Sequence, residues 1–401
     1  MRHLLILLLC FTCLLGFGQT KTDPNTIAVT DSNNVFAFKL FAAITKSDRN
    51  LFFSPFSISS ALAMTYAGAR NETEKQMSKA LNFSLDQPKF HLVFKSLIKG
   101  IESDNTDGLQ LNIANSLWAQ KDYSFSHSFL DIVKSDYNSE LQKVDFITQT
   151  EQTRKVINAW TEGKTNNKIK DLIPFGALGG GTELVLVNAI YFHGKWVKQF
   201  DEKLTRENTF NTVNGTEQTK FMNAEDTFSY SENEYAGIIE IPYKENKVSM
   251  LIFLPKQNGI RDLERRFDVS FYNDAIGSLV KQDVVLSLPK FKTTSTYNLN
   301  SVLSKMGMPI AFTTAADFSG MTGKPDLQID KVLHKAFIDV AEDGTEAAAA
   351  TVVIAIAVNA LAKEPEKTVF NADHPFIYII KDNTTGSILF MGEVQDPQKE
   401  E

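Results

Sequence analysis

The chain has almost no cysteine: of its 401 residues only Cys10 and Cys13 are cysteines. Both lie within an apolar run, residues 4–15, that follows a basic start. This layout predicts a secretory signal peptide, residues 1–18, with cleavage before Gln19 and an extracellular mature protein. A retained anchor is the alternative, but the run is shorter than the roughly 20 apolar residues that cross a bilayer. Without this segment no cysteine remains, so the chain forms no disulfide and depends on its core for stability.

A strong excess of either charge is also absent. Forty-one basic and 48 acidic residues give a net charge of −7, which excludes broad recruitment to nucleic acid or to an anionic membrane. There is no internal repeat and no linker rich in proline, glycine or serine. With 43% hydrophobic residues the chain can bury a large core. We therefore expect one domain, residues 19–401, that is monomeric.

Motifs of the common enzyme and metal sites are missing. There is no G-x-S-x-G elbow, no H-E-x-x-H, no Walker A loop and no C-x-x-C pair. The six histidines, at positions 3, 91, 127, 193, 334 and 374, lack the spacing of a metal site. We expect no cofactor, no metal and no enzymatic activity, although a catalytic triad assembled only in space would leave no such motif.

Helical patterns concentrate in the first half of the chain and strand patterns in the second. Periodicity predicts helices at 31–45, 57–69 and 152–168, two short helices between 73 and 99, a strand at 110–119 and a late helix at 299–308. The helix at 152–168 would bury Val156, Ile157 and Trp160. Six strand-like runs follow residue 183: LVLVNAIYF, FSYSENEYAGIIEIPY, VSMLIFLP, DVVLSLPKF, HPFIYII and SILFMG. This order, without βαβ alternation, predicts an α+β fold.

One segment, AEDGTEAAAATVVIAIAVNALAKEPEKTVF at 341–370, fits no ordinary surface loop. As a helix its apolar part would extend about 24 Å, less than a membrane span of roughly 30 Å, and its β-branched residues favour extended structure. With a period of two, one face is small and uncharged: Thr345, Ala347, Ala349, Thr351 and Val353. Such a strand could enter a sheet between two others without steric obstruction.

Six stretches spread over most of the chain resemble the serpin family of serine protease inhibitors. They are FFSPFSISSALAMTYAGA, NAWTEGKTNNKIKDLI, LVNAIYFHGKW, LSLPKF, HKAFIDVAEDGTEAAAAT and FNADHPFIYII. The resemblance implies a single α+β domain of about nine helices and three β-sheets, with an exposed reactive-centre loop at about 342–369. It also implies that a protease cleaves this loop as a substrate. The cleaved loop then inserts into the central sheet and traps the acyl-enzyme.

The resemblance assigns roles to three groups of residues. The hinge, the first part of the loop to insert, comprises Glu342, Gly344, Thr345, Glu346, Ala347, Ala348, Ala349, Ala350 and Thr351. A polar cluster that controls sheet opening comprises Ser54, Ser57, Asn188 and His334. Lys290 is expected to pair with Glu342 where the loop begins to enter, with Trp196 packed nearby. Insertion into a neighbouring molecule's sheet would produce polymers.

The position of the scissile bond in inhibitory relatives corresponds here to Val358–Asn359. A valine before this bond suits the shallow apolar pocket of an elastase-like protease. Cleavage after Ala360, Leu361 or Lys363 is an alternative, and the last two would indicate chymotrypsin-like and trypsin-like targets. The competing function is that of a non-inhibitory serpin, either a carrier of a small apolar ligand or a chaperone. Such members often have bulky, charged or proline residues in the hinge, and residues 347–351 of this chain include none.

Four Asn-x-Ser/Thr sequences are candidate N-glycosylation sites: Asn71, Asn82, Asn214 and Asn383. Asn383 falls in a predicted hairpin turn, which makes it the best placed of the four. The candidate binding site for heparin is one predicted helix. It contains three lysines, Lys89, Lys95 and Lys99, and no arginine. A solvated helix face is the simpler interpretation of these lysines.

Overall fold

The computed structural model of the protein describes residues 23–45, 49–103, 105–106, 108–256, 259–345 and 367–400. The predicted signal peptide, hinge residues 346–351, the predicted scissile bond at 358–359 and the alternative cleavage positions 360, 361 and 363 lie outside these ranges. Within them, no helix is both long enough and apolar enough to span a membrane.

The described ranges contain ten α-helices, most of them before residue 165, as predicted. Their bounds are α1 (Pro24–Ile44), α2 (Pro55–Tyr66), α3 (Asn71–Ala80), α4 (Gln87–Glu102), α5 (His127–Tyr137), α6 (Thr150–Lys164), α7 (Gly259–Arg266), α8 (Val269–Gly277), α9 (Asn300–Lys305) and α10 (Ser319–Thr322). Helices α5, α7, α8 and α10 were not predicted, and Val156 of α6 was wrongly expected in the core. Val156 is 42% exposed while Ile157 is fully buried, because adjacent helical positions point about 100° apart.

The central helix α2 begins two residues before the start predicted at residue 57, and its local chemistry explains this start. Pro55 occupies its first turn, where a missing N–H group removes no helical hydrogen bond. The Ser54 hydroxyl caps the helix by accepting a hydrogen bond from the Ser57 N–H group. Every residue of α2 is buried, which explains its many small side chains. This position places both serines beneath the central sheet.

Fifteen β-strands are described. They are β1 (Leu51–Phe53), β2 (Leu109–Gln120), β3 (Leu141–Val144), β4 (Leu184–Lys195), β5 (Arg206–Thr212), β6 (Gly215–Glu232), β7 (Ala236–Pro242), β8 (Val248–Pro255), β9 (Val280–Pro289), β10 (Phe291–Asn298), β11 (Lys331–Ala341), β12 (Gly344–Thr345), β13 (Thr368–Asn371), β14 (Phe376–Asp382) and β15 (Ile388–Val394). The run FSYSENEYAGIIEIPY is divided between β6 and β7, which form an antiparallel hairpin.

The larger sheet has nine strands in the order β1-β15-β14-β8-β7-β6-β9-β13, with β5 paired to β6. Its long strand β6 pairs with β5 near one end, with β9 through its middle and with β7 at the other end. Because β6 continues through both parts of this network, the described strands form two hydrogen-bonded networks, a count roughly consistent with the three sheets expected. The α+β serpin architecture agrees with the prediction.

The smaller, central sheet has the order β10-β11-β12-β4-β2-β3. Strands β11 and β4 are parallel and pair directly from Lys331↔Val185 to Phe337↔Tyr191. Beyond this point they separate, and the two-residue strand β12 lies between them, antiparallel to both. The sheet is therefore already open at one end and closed at the other.

Candidate functional site

The hinge begins with a tight turn that carries Glu342 out of strand β11. The Glu342 carboxylate accepts hydrogen bonds from Lys290 Nζ at 2.5 Å and from Thr205 Oγ1 at 2.8 Å. Its main-chain carbonyl accepts a third from the Phe200 N–H group at 2.9 Å. Burial raises the pKa of Glu342, but the bonds from Lys290 and Thr205 outweigh burial and keep that pKa below its usual value. The expected Lys290–Glu342 contact is present, and the negative charge of Glu342 is stabilised by Lys290 and Thr205, both outside the hinge.

Trp196, expected near the hinge, holds the same turn through its ring and its backbone. Its indole Nε1–H donates to the Ala341 carbonyl at 3.0 Å, and its backbone N–H donates to the Asp343 carbonyl at 2.9 Å. The indole stacks on the Tyr243 ring with centroids 4.4 Å apart. These contacts connect the end of β4 to both sides of the turn, so the direction in which the chain leaves β11 is well determined.

Strand β12 consists of Gly344 and Thr345, which we expected within an exposed loop. Instead, residues 342–345 are all buried, and Thr345 has no exposed surface. Gly344 has φ of +155°, and a Cβ at this position would overlap the carbonyl oxygen of Gly194 on β4. At the C-terminal end of the predicted loop, residues 368 and 369 belong to strand β13. The part of the predicted loop outside both strands is therefore shorter than 342–369.

The four predicted cluster residues lie together at the closed end of the β11–β4 pair. The Ser54 N–H group donates to His334 Nε2 at 3.1 Å, and the Ser54 hydroxyl donates to the Leu389 carbonyl at 2.6 Å. His334 Nδ1 bonds to Asn188 Oδ1, and Asn188 Nδ2 donates to Ser57 Oγ. His334 and Asn188 are also register partners in β11 and β4. These side chains therefore connect α2 with the two strands that insertion would separate.

The hydrogen bonds determine the protonation of His334. Because Nε2 accepts from the Ser54 N–H group, the proton of the neutral ring lies on Nδ1, from which it is donated to Asn188 Oδ1. The side chain has no exposed surface. Burial, partly offset by the contact with Asn188, lowers the pKa of His334 from 6.5 to about 3. The cluster is thus neutral at physiological pH.

Sequence reasoning missed two members of this cluster, Asn115 and Ser60. Asn115 on β2 is the register partner of Asn188, whose amide also donates to Asn115 Oδ1. Asn115 Nδ2 donates in turn to Ser60 Oγ on α2 at 3.0 Å. A polar asparagine at position 115 within a predicted strand was the available signal in the sequence. Its partner, Asn188, could be identified only from the pairing of β2 with β4.

Comparison with known proteins agrees with this geometry. A family model described as serpin (serine protease inhibitor) matches residues 31–397. This chain belongs to the serpin family. An uncharacterised serpin-like protein of Methanosarcina acetivorans is 40% identical over 376 residues, which cover 93% of this chain and 87% of that protein. The leukocyte elastase inhibitor of Xenopus tropicalis is 40% identical over 373 residues, which cover 90% of this chain and 97% of the relative.

A solved structure shows that relatives of this serpin differ in function. Human thyroxine-binding globulin, crystallised with thyroxine, has a TM-score of 0.85 and 30% identity to this serpin. The match covers 93% of this chain and 100% of the globulin chain. The family thus includes a protein named as an elastase inhibitor and a protein named for thyroxine binding, and membership alone does not distinguish between these activities.

Two of the four predicted glycosylation sites, Asn383 and Asn214, lie in turns between strands. Asn383 lies in the turn between β14 and β15, as predicted, but its amide donates to the Asn246 carbonyl at 2.9 Å and to Ser249 Oγ at 2.7 Å. Both of its amide hydrogens are therefore engaged. Asn214 lies exposed in the β5–β6 turn.

Three of the remaining surface candidates, Asn71, Asn82 and Lys95, form contacts within the fold. Asn71 donates to Asp317 at 2.7 Å, and Asn82 donates to the Ser32 carbonyl at 3.4 Å. On α4, Lys95 forms an ion pair with Asp136 at 3.1 Å, so one of the three lysines considered for heparin is neutralised. Among the described residues, no group of three or more His, Cys, Asp or Glu side chains could hold a metal.

Proposed function

We propose that this serpin is a secreted suicide-substrate inhibitor of serine proteases. The observation that supports this function best is the opening of the central sheet between β11 and β4, which β12 occupies with only two residues. The sequence that follows β12 is EAAAATVV, whose side chains are mostly small or β-branched. A gap in a sheet, preceded by a strand already in register, is the geometry from which strand addition continues.

The register of β12 predicts how the rest of the hinge would insert. Thr345 faces Val340 on β11 and Gly194 on β4. Because β12 is antiparallel to both strands, each step forward along the hinge is one step back along β11 and β4. Thr351, six residues after Thr345, would therefore face both His334 and Asn188. These two residues are partners of each other, so both strands give the same alignment. On insertion, the Thr351 hydroxyl would take the place of the direct His334–Asn188 contact.

This insertion would supply the free energy for inhibition. A protease attacks the loop and forms an acyl-enzyme, after which the freed hinge continues β12 between β11 and β4. New hydrogen bonds to two neighbouring strands, together with burial of apolar side chains, stabilise the product by on the order of 10 kcal/mol. A displacement of about 1 Å within a catalytic site slows a reaction ~100-fold, so a protease pulled by the loop would not complete deacylation.

The sequence of the loop supports an elastase-like target. Val358, before the expected scissile bond, fits a shallow apolar pocket, and a relative at 40% identity is named leukocyte elastase inhibitor. Secretion is proposed from the apolar run at residues 4–15. Expression in a secreting host and N-terminal sequencing should give a mature chain that begins at or within a few residues of Gln19. An intact N-terminus would contradict secretion by a cleaved signal peptide.

The function is tested by incubation with elastase, denaturing electrophoresis and mass analysis of the released peptide. We expect a detergent-stable complex and a peptide that begins at Asn359. Two neighbouring alanines supply a matched pair: Ala349→Arg places a charge on the face shared with buried Thr345, whereas Ala350→Arg places it on the opposite face. Ala349→Arg should be cleaved without forming a complex, and Ala350→Arg should still inhibit. Equal behaviour of the two would contradict insertion in this register.

A carrier of a small ligand is the second candidate, favoured by the match to thyroxine-binding globulin. Two cavities, of about 440 and 330 Å³, are large enough for a small molecule. If the protein is a carrier, elastase, chymotrypsin and trypsin should cleave its loop without forming a complex, and cleavage should not raise its heat stability. An inhibitor gains heat stability because the inserted strand completes the sheet.

A further inference from the structure

Inside the sheet the hinge contacts the side chain of Tyr243, which lies between strands β7 and β8. Its hydroxyl lies 2.7 Å from Thr345 Oγ1, and neither residue has exposed surface. The Tyr243 ring stacks on Trp196 and packs edge-on against Phe192 at 5.1 Å. Gly194 permits this approach, because a Cβ there would lie 2.7 Å from the tyrosine ring. The ring is therefore held independently of its contact with the hinge.

The contact is a neutral hydrogen bond over the whole working pH range. Burial raises the pKa of Tyr243 far above its usual value, and the bond to Thr345 offsets only part of that rise. Both hydroxyl groups are shielded from water, so loss of either would leave the other buried without this partner. The bond is also specific in register: a shift of β12 by one residue would turn the Thr345 side chain to the opposite face of the sheet.

We propose that Tyr243 is a positioning residue that anchors Thr345 between β11 and β4 before any protease acts. This role rests on the proposed inhibitory function. With Gly344 and Thr345 already ordered, the entropy of placing the first residues of the new strand is lost before cleavage rather than after it. Insertion then starts from a fixed register and competes better with deacylation. The anchor favours trapping of the protease over its release with a cleaved loop.

The first test measures the anchor without a protease. Amide hydrogen exchange is followed in the full-length protein at residues 341–345 and 193–196, in wild type and in Tyr243→Phe. Removing one buried hydrogen bond should speed exchange there about fivefold. Tyr272→Phe is the matched control, because Tyr272 is also buried and its hydroxyl has no hydrogen-bond partner among the described residues. Thr345→Val should reproduce the Tyr243→Phe result, and Thr345→Ser, which keeps the hydroxyl, should restore wild-type exchange.

The second test measures the consequence for inhibition. Tyr243→Phe and Thr345→Val should require more inhibitor per elastase molecule inhibited, because more of the loop is cleaved without trapping, while Tyr272→Phe and Thr345→Ser should match wild type. Unchanged exchange in Tyr243→Phe and Thr345→Val would overturn the anchor, whatever the inhibition data. Faster exchange in a protein that traps no protease would retain the anchor and reject the inhibitory function. Faster exchange with an unchanged inhibitor requirement would refute the role in trapping.

Discussion

Acidification should weaken this protein through His334, since the ring is buried in its neutral form. In the folded protein its Nε2 atom accepts from the Ser54 N–H group, and burial lowers its pKa to about 3. An added proton at Nε2 would remove that bond and leave two donors facing each other. In the unfolded chain the same side chain binds a proton near pH 6.5. His91 is also buried in its neutral form, because burial lowers its pKa to about 4.

The sign and size of the effect follow from proton binding. Between pH 6.5 and the folded pKa, the unfolded chain binds more protons than the folded chain, so the free energy of unfolding falls as pH falls. The contribution of each histidine is fully present above pH 6.5 and decreases by about 1.4 kcal/mol per pH unit below it. Acidification from pH 7 to pH 5 should therefore remove about 2 kcal/mol through His334 and about 2 kcal/mol through His91.

The assay is urea unfolding of the uncleaved protein at pH 7 and pH 5, at low concentration to avoid polymers. His334→Gln and His91→Gln should each lose about 2 kcal/mol less free energy of unfolding than wild type between these conditions. His127→Gln, at an exposed position on α5, is the control and should behave like wild type. If His334→Gln shows the full wild-type loss, the reasoning about its buried neutral state is refuted.

Two further predictions concern the hinge. Glu342→Gln removes the charge that faces Lys290 and should lower stability by about 1–3 kcal/mol, measured as a lower thermal midpoint. The exposed pair Lys367–Glu225 is the control, since Glu225→Gln should have an effect of less than about 1 kcal/mol; equal effects would contradict the importance of burial. Gly344→Ala introduces a Cβ that overlaps the Gly194 carbonyl, so β12 should leave the sheet and hydrogen exchange at 341–345 should increase. Wild-type exchange in this variant would show that β12 tolerates a side chain.

Local patterns predicted much of the fold because their causes are local. Pro55 and the capping Ser54 define the start of α2, and alternating residues define β2. The same patterns failed where neighbours along the chain were insufficient. Val156 has the apolar character of a core residue, but the direction it faces depends on what α6 packs against. The hairpin within FSYSENEYAGIIEIPY lacked a strong turn sequence, so the break between β6 and β7 was not predicted.

By itself, the sequence determined that this protein is an α+β serpin with a hinge of small side chains, and it identified four cluster residues and the Lys290–Glu342 pair by resemblance. Only the tertiary structure decided that Thr345 lies inside the sheet, that Tyr243 contacts it, and that Asn115 completes the cluster. Each of these facts depends on which strands are neighbours and in what register they pair. Strands β2, β4 and β11 are far apart in sequence, and a period of two shows which residues share a face but not which strand lies opposite.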